Sequence, residues 1–157
     1  MLSAALVLTA SLALGQTDAE KAFKAYTDFA VGGVWTTTDG DRQVTVKYRK
    51  VANGKFVELT QKGGLVPFVC MIGVDPETKK CTWWFFHEDG STGKDVMTQE
   101  SDAVFVVDGK STGEKGEIRY KGRITQVDEE TVTEEVVEFV CYGEKQPVQT
   151  LTWKRKR

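Results

Sequence analysis

The chain has one histidine, His87, three scattered cysteines and almost no net charge, and each shortage removes a class of function. A lone histidine with Cys70, Cys81 and Cys141 dispersed makes no metal-ligand cluster, and Asp89-Gly90-Ser91 lacks the alternating acids of a calcium loop. A formal charge of −2 supplies no basic excess for gripping a nucleic-acid backbone. No internal repeat, low-complexity segment or linker divides the 157 residues, enough for one domain with a sizeable core. Two lysine-bearing stretches imitate a phosphate loop and fail. Gly90-Ser91-Thr92-Gly93-Lys94 lacks a first glycine at the right spacing, and Gly109-Lys110-Ser111 would need glycine where Val104 stands. Neither opens a helix, so the donors that capture an anion at a helix N-terminus are missing. Both are expected to be hairpin turns.

Charged side chains are also absent before Asp18. The uncharged run from Leu2 to Leu14 is too short for a membrane span of about 20 residues but fits the apolar core of a secretory signal. Ala13 and Gly15 are small residues placed for a cut before Gln16. The expectation is a signal peptide over residues 1–15 and a single mature domain over residues 16–157. That implies export, periplasmic or extracellular, with no transmembrane segment in the mature chain. No Lys or Arg precedes the run, so the α-amino group or residues further upstream would supply the positive charge. A buried N-terminal helix is the alternative reading, although no polar face interrupts the run. No cysteine follows the small residues, so no lipid anchor is indicated.

What is present is strand. Thr17-Asp18-Ala19-Glu20 matches a capping box, and Ala19, Ala22, Phe23, Tyr26, Phe29 and Ala30 recur at helical spacing until Gly32-Gly33. This helix carries mixed rather than basic charge, so packing over the end of a barrel suits it better than a membrane surface. After Gly33 the period becomes 2 and stays there. Strands are expected at about 34–38, 42–50, 55–62, 66–74, 81–87, 93–100, 103–108, 116–127, 131–141 and 147–155. Asp39-Gly40, Asn53-Gly54, Gly63-Gly64, Asp75-Pro76, Asp89-Gly90, Asp108-Gly109 and Tyr142-Gly143 read as turns. The fold class is therefore all-β: an antiparallel up-and-down barrel of eight to ten strands with one short N-terminal helix, closure removing its exposed edges.

The densest apolar stretch, Leu65 to Gly93, forms a hairpin whose second strand places Trp83, Trp84, Phe85 and Phe86 in succession. Neighbouring strand residues point to opposite faces, so both faces gain something large to bury. If the turn closes with Asp75 opposite Lys80, Val74 faces Cys81, Cys70 faces Phe85 and Phe68 faces His87. Cys70 and Cys81 then lie roughly 13 Å apart along the strands, beyond disulfide reach. All three cysteines read as small buried hydrophobes, with a bridge from Cys141 to either of the others left open.

Gly33-Val34-Trp35 at the start of the first strand, after a short helix, resembles the lipocalin and wider calycin pattern. The layout is similar to a family of small secreted bacterial proteins of unknown function with lipocalin-like barrels. The matching features are Gly-x-Trp, the Asp75-Pro76-Glu77-Thr78-Lys79 turn, aromatic strands and a final basic strand end, spanning roughly residues 29–157. The resemblance implies that Trp35 closes one end of the barrel under a basic residue of the last strand, Arg155 or Lys154, by cation–π contact. It implies a possible cavity and assigns no ligand.

The leading expectation is binding of a small apolar or aromatic molecule at the barrel mouth, with Trp35, Tyr48, Trp84, Phe86, His87, Tyr120 and Trp153 as candidate contacts. A filled barrel that contacts another envelope protein is the alternative. No cofactor is expected, haem through His87 being a minority reading, and no catalytic residue is assigned. An enzyme would have to use His87 with Cys70, diagonal to it, or with an inward glutamate, and nothing supplies an orienting acid or an oxyanion hole. Glu134 and Glu138 share a face with Val132, Val136 and Val140. Turned inward, these acids would need partners such as Arg119 or Arg123, so a solvated face is the preferred reading.

Overall fold

The computed structural model describes residues 16–156, so the expected signal segment lies outside the described residues. Helix α1 (Asp18–Ala30) begins at the capping box: the Glu20 amide donates to Thr17 Oγ1 at 3.2 Å, and the Thr17 amide to Glu20 Oε2 at 2.8 Å. Strands follow in order: β1 (Val34–Asp39), β2 (Arg42–Val51), β3 (Phe56–Lys62), β4 (Phe68–Val74), β5 (Cys81–His87) and β6 (Thr92–Ser101). Then come β7 (Val104–Gly113), β8 (Gly116–Gln126), β9 (Thr131–Cys141), β10 (Glu144–Lys145) and β11 (Gln149–Lys156).

Each strand from β1 to β9 pairs antiparallel with the next, β9 pairs with β11, and β11 returns to β1, closing an up-and-down, lipocalin-like barrel of ten long strands. The two-residue β10 lies along the same edge of β9 as β11 and in the same register, Lys145 opposite Val140 and Gln149 opposite Val136. The pair is one strand interrupted at Pro147, which has no N–H to give the ladder. Thr37 Oγ1 helps to seal the seam by donating to the Thr152 carbonyl at 2.8 Å.

The β4–β5 hairpin has the expected register: Val74 faces Cys81, Cys70 faces Phe85, Phe68 faces His87, and the Asp75 amide donates to the Lys80 carbonyl at 2.9 Å. The three cysteines are buried and free. α1 covers one end of the barrel through Ala22, Tyr26 and Ala30, all buried. No described helix is long and apolar enough to cross a membrane.

Two expectations are corrected. Asp108-Gly109 is not a turn, and Gly109-Lys110-Ser111 is not a hairpin loop; all lie within β7, which runs on to Gly113 before the chain reverses. Gly109 is there because of what stands opposite: a Cβ on it would sit 2.4 Å from Asp95 Oδ1 and 2.4 Å from Asp95 Cα. Strand glycine signals close approach as often as it signals a turn. The second correction concerns β9. Opposite Lys121 and Gly122 the register slips, Lys121 facing Glu138 and Gly122 facing Val136, with Val137 the extra residue. This bulge reverses the pleat. Val132, Glu134 and Val136 face inward, whereas Glu138 pairs with Lys121 and Val137 is exposed. The period-2 reading carried Glu134 and Glu138 to one solvated face because it contained no extra residue.

Candidate functional site

The barrel lumen holds two neighbouring cavities. Beneath α1 is a space of about 80 Å³ lined by Tyr26, Trp35, Tyr48 and neighbours. Toward the open end is a cavity of about 170 Å³. Phe68, Trp83, Glu134 and Trp153 border both. Strand β5 builds the wall of the larger part, because its alternate residues Trp83, Phe85 and His87 point inward. Their rings form a ladder, Trp83 and Phe85 stacked at 6.1 Å between centroids and Phe85 and His87 at 5.8 Å. Phe68 meets Phe85 edge-on at 4.8 Å. Tyr120, Ile118, Leu151 and Trp153 complete the apolar lining, and Gly64, Leu65 and Val66 reach in from the β3–β4 connection.

Polar groups punctuate this surface. Glu134 stands at the waist, its carboxylate accepting from the Tyr120 hydroxyl and, at 2.7 Å, from Trp153 Nε1. Burial pushes its pKa up, and the two donors pull it back. Glu134, Tyr120 and Tyr48 retain some accessible surface although they sit deep in the protein, because that surface faces the lumen. Tyr48 shares a hydrogen bond of 2.8 Å with Tyr26 across the lower part. Asp95, on β6, is buried at 4% exposure and lines the larger cavity. Its carboxyl makes no hydrogen bond or ion pair among the described residues, and burial, with the Asp108 charge adding, raises its pKa to about 7. His87 Nε2 lies 3.0 Å from Ser111 Oγ, burial lowers its pKa, and its Nδ1 has no partner among the described residues. Trp83 Nε1 is likewise buried and unpartnered.

The candidate contacts separate. His87, Tyr120 and Trp153 line the larger cavity, and Trp35, Tyr48 and Trp153 the smaller. Trp84 and Phe86 line neither, since they point away from the lumen. Trp84 packs edge-on against Phe56 at 6.1 Å with the Lys94 ammonium over its ring, and Phe86 is 51% exposed beside Val69. A strand with four consecutive aromatics shows no alternation from which to read its inner face; Trp83 and Phe85 hold the positions given to Trp84 and Phe86.

At the helix end the Arg155 guanidinium lies 4.5 Å over the Trp35 ring, and Trp35 Nε1 donates to the Ala30 carbonyl at 2.9 Å. Gly33, at φ +82°, admits this arrangement, because a Cβ there would fall 2.9 Å from Arg155 Cγ. Cys70 does not pair with His87; its thiol donates to the Met71 carbonyl at 3.6 Å, and burial pushes its pKa well up. His87 pairs with Ser111 instead. That pair could move a proton, but among the described residues no acceptor orients Nδ1, as hydrolytic His–Ser pairs require.

Sequence reasoning missed Asp95 and Ser111. The available signal was the parity of β6, where Asp95 shares a face with Met97, and the glycine opposite it in β7. No group of three or more metal-ligating side chains occurs among the described residues. Comparison with models of protein families and with curated proteins found no match to the chain.

Proposed function

We propose that the protein is an exported lipocalin-like binding protein that holds one small aromatic or apolar molecule in its lumen. The observation that carries this is the cavity of about 170 Å³ walled by Phe68, Trp83, Phe85, Tyr120 and Trp153 and open away from α1. Apolar cavities of this scale accept a single aromatic ring. That size favours one ring over the four pyrroles of a haem. A barrel of about this strand number either fills with side chains or keeps room for one small ligand, and the lumen supports the second state. Native mass spectrometry of the protein purified from its host tests the reading. An added mass of one to a few hundred daltons, released on denaturation, is the expected outcome. A bare polypeptide mass that stays bare after exposure to single-ring compounds would overturn it. The same spectrum reads export: a chain starting at Gln16 supports it, and one retaining Met1 counts against it.

A second reading rests on the outer face. Val69 and Phe86, paired across β4 and β5, are 40% and 51% exposed and adjoin Trp84, Met71 and Phe56. An exposed apolar strip of this kind suits contact with another protein.

A further inference from the structure

We propose that the lumen selects an organic cation, a protonated amine carried on a single aromatic ring, with Asp95 as its counter-ion. The inference rests on the binding reading above and specifies the ligand's charge.

The argument begins with the cost of the carboxyl. An ionised group held out of water without a partner is strongly disfavoured, and buried charges are normally paired or bound to metal. Asp95 is buried, borders the cavity, and has no hydrogen bond or ion pair among the described residues. The fold makes room for it rather than excluding it, through the bare Gly109 backbone opposite. Nothing in the lining offsets the charge. Asp39, Asp95 and Glu134 all border the cavity; of the two basic residues there, His87 has its pKa lowered by burial, and Lys110 turns its ammonium to Glu117 Oε2 at 3.2 Å on a largely exposed side chain. Two of the three acids have other work: Glu134 accepts from Tyr120 and Trp153, and Asp39 accepts from Gln149 at 2.9 Å. Asp95 alone awaits a partner.

The chemistry of that partner follows from its surroundings. A metal ion would need several ligands, and no qualifying group exists among the described residues. The walls instead carry the rings of Trp83, Phe85, Phe68 and Tyr120, and aromatic rings attract a cation and pair with another ring. An ammonium reaching Asp95 while its ring lies along the β5 ladder satisfies both parts of the cavity, at about the volume of one ring.

The test uses three probes of one shape on the purified protein at pH 8, followed by calorimetry or tryptophan fluorescence: 2-phenylethylamine, 2-phenylethanol and phenylacetate. The amine is expected to bind at least tenfold more tightly than the alcohol, and the anion weakest. In Asp95→Asn, and independently in Asp95→Ser, the amine should fall to the alcohol's affinity while the alcohol stays within a few-fold of its original value. Equal affinity of amine and alcohol for the unaltered protein would overturn the counter-ion role and leave the binding reading standing. A preference for the amine that survives both substitutions would also overturn it and assign the charge recognition elsewhere. Failure of all three probes to bind would overturn both readings together.

Discussion

At the helix end of the barrel Tyr26, Tyr48 and the Trp35 indole find hydrogen-bond partners inside the protein, whereas at the mouth several polar groups are left waiting. Tyr26 bonds Tyr48, Trp35 Nε1 bonds the Ala30 carbonyl, and Arg155 lies over Trp35. Around them Val57, Ile72, Met97 and Phe105 are packed without exposure to speak of. Toward the other end lie the Asp95 carboxyl, the Trp83 indole N–H and His87 Nδ1, none with a partner among the described residues. Buried polar groups are nearly always satisfied, so three orphans along one cavity point to a surface shaped for something besides stability. One barrel thus has a closely packed end and an end with unpartnered polar groups, and Glu134 borders the cavities of both.

The comparison breaks most visibly at Tyr26, whose ring meets Trp83 at 5.2 Å and Phe105 at 5.4 Å between centroids. Tyr26→Ala removes the plug of the closed end and leaves Tyr48 without its bond. It should cost about 3–5 kcal/mol in denaturant unfolding. A loss under about 1 kcal/mol would show that the helix end is not the stabilising one.

The mouth should respond in the opposite sense. Asp95 has its pKa raised from the ordinary aspartate value of about 3.9 to about 7, so the folded state holds a proton that the unfolded state releases first. The Asp95 contribution to stability is then greatest below about pH 4, falls as pH rises through about 4 to 7, and levels off above. The groups surrounding Asp95 are Asp108 on β7, which adds to the shift, and Cys70 on β4 and Tyr120 on β8, both neutral in this range. Asp95→Asn, lacking the penalty, should be more stable than the parent at pH 8 by up to about 4 kcal/mol, with the advantage fading by pH 4. Thermal unfolding of both at the two pH values measures it. A variant less stable than the parent at pH 8 would mean that the carboxylate has a partner.

Smaller effects sharpen the boundary. Gly33→Ala puts a side chain at φ +82° and against Arg155, and should cost about 1–3 kcal/mol with the single-ring affinity unchanged. Phe86→Ser, on the outer face, should move stability by no more than about 0.5 kcal/mol and leave probe binding intact. A large change in binding on Phe86→Ser would bring the outer face into the site.

The closed end was far more legible in the sequence than the mouth. Capping box, helix periodicity, Gly-x-Trp and the strand count are local signals, and the Asp75–Lys80 turn alone was enough to fix the β4–β5 register. The mouth depends on parity, which the sequence obscures in three places. Four aromatics in β5 conceal which of Trp83 and Trp84 faces inward. The bulge at Val137 reverses the pleat of β9 and parts Glu138 from Glu134, which stays on the inward face with Val132 and Val136. Asp108-Gly109 has the letters of a turn and the role of a gap beside Asp95. In each, the deciding fact is a cross-strand neighbour, and that neighbour is distant in sequence.

The seam between β1 and β11 sets a kinetic condition on the molecule. Trp35 and Arg155 are register partners, and Thr37 bonds to Thr152, so the contacts that close the ring join opposite ends of the folded segment. Loop closure over that span must precede any reward from the contacts, which predicts slow folding for a domain of this size. Until β11 docks, β1 and β9 both present unpaired edges able to recruit other chains. Pro147, standing where the returning strand breaks, blunts part of the edge that seeks β9. The aggregation hazard of this protein therefore lies in the interval before its last strand arrives.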